Sequence, residues 1–193
     1  FISLLMEKDF LKRIDTTKAL EHPFLNSITQ NEQTERPFDN EYWNNKKEGI
    51  YVDVGAYHPF KGSNTYKLFK RGWSGINIDL DPQTTDIFNH FRPKDENICA
   101  AVSDLAVEKK LFFHHNRSAI NTLEEKLGYR AKEIRKIKTT TLNEILENSR
   151  FKLLDLDFLS IDVEGHELDV IKGLDLQKYP IKIIVIEHQD PKM

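Results

Sequence analysis

The chain lacks the raw material for a disulfide framework: Cys99 is its sole cysteine. An internal disulfide is excluded, which fits a reducing compartment, and a cytoplasmic location is expected. No apolar run reaches the roughly 18 residues of a membrane-spanning helix, so no span is expected. No charge sign dominates: 28 Lys and Arg stand against 31 Asp and Glu, a net charge of -3. That balance gives no sign of a nucleic-acid partner. Glycine is scarce, at 8 residues, and never falls in a G-x-G-x-x-G pattern. A dinucleotide pyrophosphate wants those glycines against a helix N-terminus, so such a ligand is disfavoured. The chain also starts at Phe1 without a signal-peptide pattern, and is expected to be a fragment.

What is present suits one globular domain with a short extra segment: 39% hydrophobic and 31% charged over 193 residues. Residues 1–29 read as a helical extension. Leu4, Leu5, Phe10 and Leu11 recur at helical spacing, and Asp15 is placed to cap a second short helix that stops before Pro23. The string LLMEKDFLKRIDTTKALEHPFL resembles the C-terminal end of a protein kinase catalytic domain, through Leu4, Leu5, Asp9, Arg13, Ala19, Leu20, His22, Pro23 and Phe24. The HRD loop and the DFG motif are absent, so no phosphoryl transfer is expected. Residues 30–48 are polar and read as a linker.

From residue 49 to 193 the pattern changes. Short apolar runs alternate with helical stretches, the pattern of a mostly parallel sheet with helices on both faces. Strands are expected at 50–54, 75–79, 97–102, 110–114, 158–162 and 181–187. Helices are expected at 63–71, 83–91, 123–127, 141–149 and 167–173.

Candidate functional residues gather at the strand ends. The first strand closes in Val52-Asp53-Val54-Gly55-Ala56. Asp53 stands where open α/β sheets bind ligands, and Gly55 permits a tight turn. The second strand, GINIDLD, ends in Asp79, placed to accept ribose hydroxyls, while Asp81 before Pro82 reads as a helix cap. Ala101 and its small neighbours leave room for an adenine ring, with Asp104 near its amino group. Asn64 opens the helix after the first loop and is placed to cap it or to touch the cofactor carboxylate. The fourth strand runs into DVEGHE, where Asp162, Glu164, His166 and Glu167 crowd together. Mutual repulsion there points to a site or a cation, although Glu164 and Glu167 also suit a helix N-terminus.

The ordered strings VDVGAYHP, SNTYKLFKRGWSGINIDLDP, CAAVSD, KTTTLNEIL and LSIDVEGHELDVIKGL resemble the FkbM-type methyltransferase family, and IVIEHQ matches its fifth-strand end. The resemblance implies a Rossmann-like class I core, S-adenosylmethionine as cofactor, and O-methylation of a sugar, glycan or secondary metabolite. By it, Asp53 and Gly55 line the methionine end of the cofactor, Asp79 takes the ribose, and Asp162, Glu164 and His166 border the transfer site. The chain departs from the family at Tyr57-His58-Pro59, where many members have a second glycine turn. It also stops near the fifth strand. The last two strands of the usual core either lie outside this fragment or are missing from a minimal fold.

Methyl transfer to oxygen needs alignment and a base. His166, Glu164 and His58 are the candidates, with His188 a further histidine. Some class I O-methyltransferases hold a divalent cation at the ends of the fourth and fifth strands, which here are Asp162 and Glu187. Oxygen ligands of that kind suit magnesium. The expected partner is a small-molecule or carbohydrate acceptor. A methyltransferase-fold binding module without catalysis is the alternative.

Overall fold

The structure, a computed structural model, describes residues 2–6, 46–152 and 154–187. Its main sheet has six strands, all paired in parallel. In chain order these are β1 (Ile2–Met6), β2 (Ile50–Val54), β3 (Ser74–Asp79), β4 (Glu96–Cys99), β8 (Phe158–Ile161) and β9 (Ile183–Glu187). Their spatial order is β1-β9-β8-β2-β3-β4. A second, three-stranded sheet has the order β5-β7-β6, from β5 (Ala101–Val102), β6 (Glu108–Phe113) and β7 (Glu133–Thr140). The helices are α1 (Tyr66–Lys70), α2 (Pro82–Phe91), α3 (Leu142–Asn148) and α4 (Glu167–Lys172).

The period-2 geometry of β2 explains the layering. Val52 and Val54 face one side and join Leu142, Ile145 and Leu146 of α3 with Val170 and Ile171 of α4 in the larger core. Tyr51 faces the other side, in a smaller cluster with Leu68 of α1 and Trp73. Both faces of the sheet are therefore covered, as a parallel sheet requires. Helix ends follow local chemistry. Asp81 caps α2 by accepting from the Gln83 N–H at 2.8 Å, with Pro82 in the first turn. Thr141 and Glu144 form a reciprocal capping box on α3.

Winding runs from β2 out to β3 and β4 on one side, and from β8 to β9 on the other. The reversal falls between β2 and β8, where a doubly wound sheet opens a crevice.

Several expectations change. Ile2–Met6, read as the start of a helix, is a strand running parallel to β9 with Leu5 opposite Ile186. The edge of β9 offers unpaired backbone groups, and pairing overrides helical spacing. Residues 7–45, which carry the rest of the kinase-like string and most of the linker, lie outside the described residues. The strand expected at 97–102 is two, because the Ala100 N–H turns to the Asp79 carbonyl (2.9 Å) and Ala101–Val102 pair with β7 instead. The helix expected at 123–127 is absent. That stretch is turns leading to a 3-10 turn at Gly128–Arg130, where Gly128 lies against the Phe112 ring. β7 was not expected at all. Its residues are mostly exposed, so no apolar alternation marks it, and antiparallel pairing with β6 holds it. Among the described residues no helix is long and apolar enough to cross a membrane.

Candidate active site

A cavity of about 230 Å³ opens at the carboxyl ends of β2, β3, β5 and β8. Gly55 makes its floor possible. It turns at φ +78°, and a β-carbon there would collide with the Asp162 carbonyl oxygen. Its N–H and that of Ala56 both donate to the Ile78 carbonyl, at 2.9 and 3.1 Å. The turn after β2 is thereby tied across to β3, and Gly55 and Ala56 both line the cavity.

Among the described residues, three that are not glycine hold left-handed backbone: Tyr57, Arg117 and Glu164. Tyr57 and Glu164 line the cavity, and Arg117 precedes Ser118 and Ala119, which also line it. Each such residue costs about 1–2 kcal/mol, and strain of this kind concentrates at functional sites.

Asp53 lines the cavity yet is only 3% exposed. Its carboxylate accepts from Thr65 Oγ1 at 2.7 Å. Burial raises its pKa, opposed by the Thr65 hydrogen bond and the nearby Arg92 charge. Arg92 is 0% exposed. It donates to Thr65 Oγ1 (2.8 Å), Ser63 Oγ (3.0 Å), Asn77 Oδ1 (3.3 Å) and the Pro59 carbonyl. One guanidinium thus pins the loop after β2 to the sheet beneath it. Sequence reasoning missed Arg92, since nothing in NHFRP separates it from a surface arginine.

Asp79 lines the cavity and accepts from the N–H groups of Tyr57 (2.9 Å) and Asp81 (2.8 Å). Burial raises its pKa to about 6, against those two hydrogen bonds. A carboxylate has further acceptor capacity, so a ribose diol can still be received. Asp81 acts as the expected cap, and its other oxygen accepts from the Arg117 N–H at 2.6 Å. Ala101 is buried and lines the cavity beside Ala100 and Val102. Asn64 lines it and donates to Ser160 Oγ at 2.9 Å.

Asp104 is not among the lining residues. It accepts from Ser103 Oγ (2.9 Å) and Lys109 Nζ (3.1 Å), so the adenine contact expected of it is not what its carboxylate makes.

The fourth strand's acidic string separates into roles. Asp162, Glu164 and His166 line the cavity. Glu167 folds back, one oxygen accepting from the Val163 and Gly165 N–H groups at 3.0 Å each, and burial raises its pKa. It braces the turn. Thr122 Oγ1 donates to the Glu164 carbonyl at 2.7 Å.

His166 is 4% exposed and both ring nitrogens are engaged. Nδ1 meets Glu124 Oε1 at 2.8 Å, and Nε2 meets Ser103 Oγ at 2.9 Å. Both nitrogens of a residue that lines the cavity are thus hydrogen-bonded within the protein. His58 is not among the lining residues. Its Nδ1 accepts from the Phe60 and Lys61 N–H groups, each at 3.1 Å, so the ring braces its own loop. Burial, then the charges of Arg117 and Lys61, lowers its pKa. His188 lies outside the described residues.

Asp162, Glu164 and Glu187 bring carboxylate oxygens within 4.8 Å of one another. The expected pair Asp162 and Glu187 therefore gains Glu164, an oxygen-only set of the kind magnesium accepts. Glu124, His166 and Asp169 are also close. There the two acids address opposite ring nitrogens, and Lys109 Nζ lies 3.5 Å from Asp169 and 3.5 Å from Nε2. That group is an ion-pair network around a buried ring.

Searches of curated proteins and of solved structures return no match. A family model described as the methyltransferase FkbM domain matches residues 53–193, from the acid of the first strand onward. The chain belongs to the FkbM methyltransferase family.

Proposed function

We propose that this chain uses S-adenosylmethionine to methylate a hydroxyl of a small-molecule or carbohydrate acceptor. The observation that carries the reading is the cavity at the β2–β8 reversal, with its glycine turn at one end and its carboxylates spread along the wall. The donor set fits such a cofactor. Carboxylates suit its ammonium and sulfonium charges, Asp79 suits a ribose, and the small residues at Ala100 and Ala101 suit a flat ring. The turn offers no glycine-rich cradle for a pyrophosphate.

The cofactor supplies an activated methyl carbon. The chain's part is to hold the acceptor oxygen in line and to receive its proton. With the nitrogens of His166 occupied and His58 off the cavity wall, Glu164 is the side chain best placed for that task. Asp162, Glu164 and Glu187 would hold a divalent cation if one is used, and it would orient the hydroxyl. The engaged nitrogens of His166 also favour a second reading, a module that binds the cofactor without turning it over.

Calorimetric titration with S-adenosylmethionine, S-adenosylhomocysteine and NAD separates these. Tight binding of NAD alone would sink the proposal. Cofactor binding with no methyl incorporation into sugar or glycolipid extracts would favour the binding module. Unchanged activity in EDTA, with no heat on adding magnesium, would remove the cation.

A further inference from the structure

Arg117, Lys61 and His58 sit on loops whose neighbouring residues line the cavity, and neither of the two cations has an ion-pair partner among the described residues. Arg117 is set there by its left-handed backbone and by the Asp81 carboxylate on its N–H. Its Nε is shut off from solvent with no hydrogen-bond partner. Its charge and that of Lys61 both act on His58. In neutral His58 the two bonds accepted at Nδ1 leave the proton on Nε2, a second donor. Among the described residues no carboxylate forms an ion pair with Arg117 or Lys61. A donor nitrogen shut off from solvent without a partner, on left-handed backbone, is unfavourable unless a ligand group meets it.

The cavity wall itself is different. Its ionisable side chains are chiefly carboxylates, Asp53, Asp79, Asp162 and Glu164 among them, which repel an anion. Tyr57 lies next to His58, and Ser118 next to Arg117, and both line the cavity. The basic group therefore flanks an acidic pocket, and it favours a negatively charged ligand group on that side.

We propose that Arg117, with His58 and Lys61, receives an oxyanion, a carboxylate or phosphate, carried by a ligand of this cavity. An arginine suits the task because its planar fork binds two oxygens of one such group at once. The oxyanion comes either from the amino-acid end of the cofactor or from an acidic acceptor. The first source rests on the cofactor reading above. The second does not.

The test uses the full chain as wild type, Arg117→Gln, Arg117→Lys and Lys61→Gln, each checked by thermal melting. Calorimetry is run with S-adenosylhomocysteine, with 5′-methylthioadenosine, which lacks the amino-acid end, and with inorganic phosphate. If the cofactor is the source, Arg117→Gln weakens S-adenosylhomocysteine at least tenfold and leaves methylthioadenosine unchanged. If the acceptor is the source, both nucleosides bind unchanged, and phosphate binding loses at least tenfold in Arg117→Gln and about threefold in Lys61→Gln. Arg117→Lys falls between. Should Arg117→Gln not fold, Arg117→Lys and the exposed Lys61→Gln carry the same comparison. The proposal is overturned if all three ligands bind the variants within twofold of wild type. It is also overturned if both nucleosides weaken together, which marks a structural role. A wild type that binds neither nucleoside removes the cofactor source, and phosphate alone then decides: binding lost in Arg117→Gln upholds the oxyanion site, and any other result overturns it.

Discussion

Gly55 and the carbonyl oxygen of Asp162 are packed so closely that a β-carbon on the glycine would overlap that oxygen. The two residues end adjacent strands on either side of the winding reversal, so their separation sets the width of the site. Gly55→Ala must either part β2 from β8 or abandon its φ of +78°. A loss of about 2–4 kcal/mol in urea unfolding is expected. A variant as stable as wild type would show that the turn tolerates a side chain.

Asp79 gives the stability of the fold a pH dependence. Its folded pKa of about 6 lies above the ordinary carboxylate value, so the folded state holds that proton more tightly than the unfolded chain does. Its contribution to stability therefore falls as pH rises from about 4 to about 6 and is level above that, by about 2–3 kcal/mol at most. Asp79→Asn removes this titration. The stability of wild type minus variant should fall across that window and be flat from pH 7 to 8. The same variant should weaken S-adenosylhomocysteine about tenfold at pH 8. A difference curve without slope would refute the buried, raised carboxylate.

Glu164 and the histidines can be told apart kinetically. With an acceptor found by methyl-incorporation screening, Glu164→Gln should lower kcat by about a hundredfold or more while cofactor affinity stays nearly constant. His58→Gln should leave kcat nearly unchanged, because that ring braces a loop. The reverse ranking would return the base to His58.

Glu124 anchors the segment between β6 and β7 through His166, and Thr122 anchors it through the Glu164 carbonyl. Glu124 is 37% exposed, so its bond to His166 is discounted for screening to about 1 kcal/mol. Glu124→Ala should speed amide exchange across residues 114–127, and Glu124→Gln should restore most of the protection. Equal exchange in all three proteins would mean that the latch carries no weight.

Arg117→Asn keeps the backbone N–H bonded to Asp81 and places a residue tolerant of left-handed φ at a strained position. Folding stability should hold or rise by up to about 1 kcal/mol. A clear loss would mean that the guanidinium supports the fold.

Local chemistry was legible in the sequence. Strand β2 and its glycine turn, the Asp81 cap, the Thr141 helix start and the acidic end of β8 each follow from neighbours a few residues away, through period-2 alternation or capping. Ordered motifs spread over most of the chain carried the family. What the tertiary structure decided is where side chains point. His166 is turned by Glu124 and Ser103, 42 and 63 residues distant, and His58 by the N–H groups of its own loop. Asp104 goes to Lys109, and Arg92 is drawn under a loop 33 residues before it. β7 and the edge strand β1 arise from pairing that no local pattern announces. A sequence states which groups are near a strand end. Which of them faces the cavity depends on long-range partners that fold it toward one neighbour and away from another.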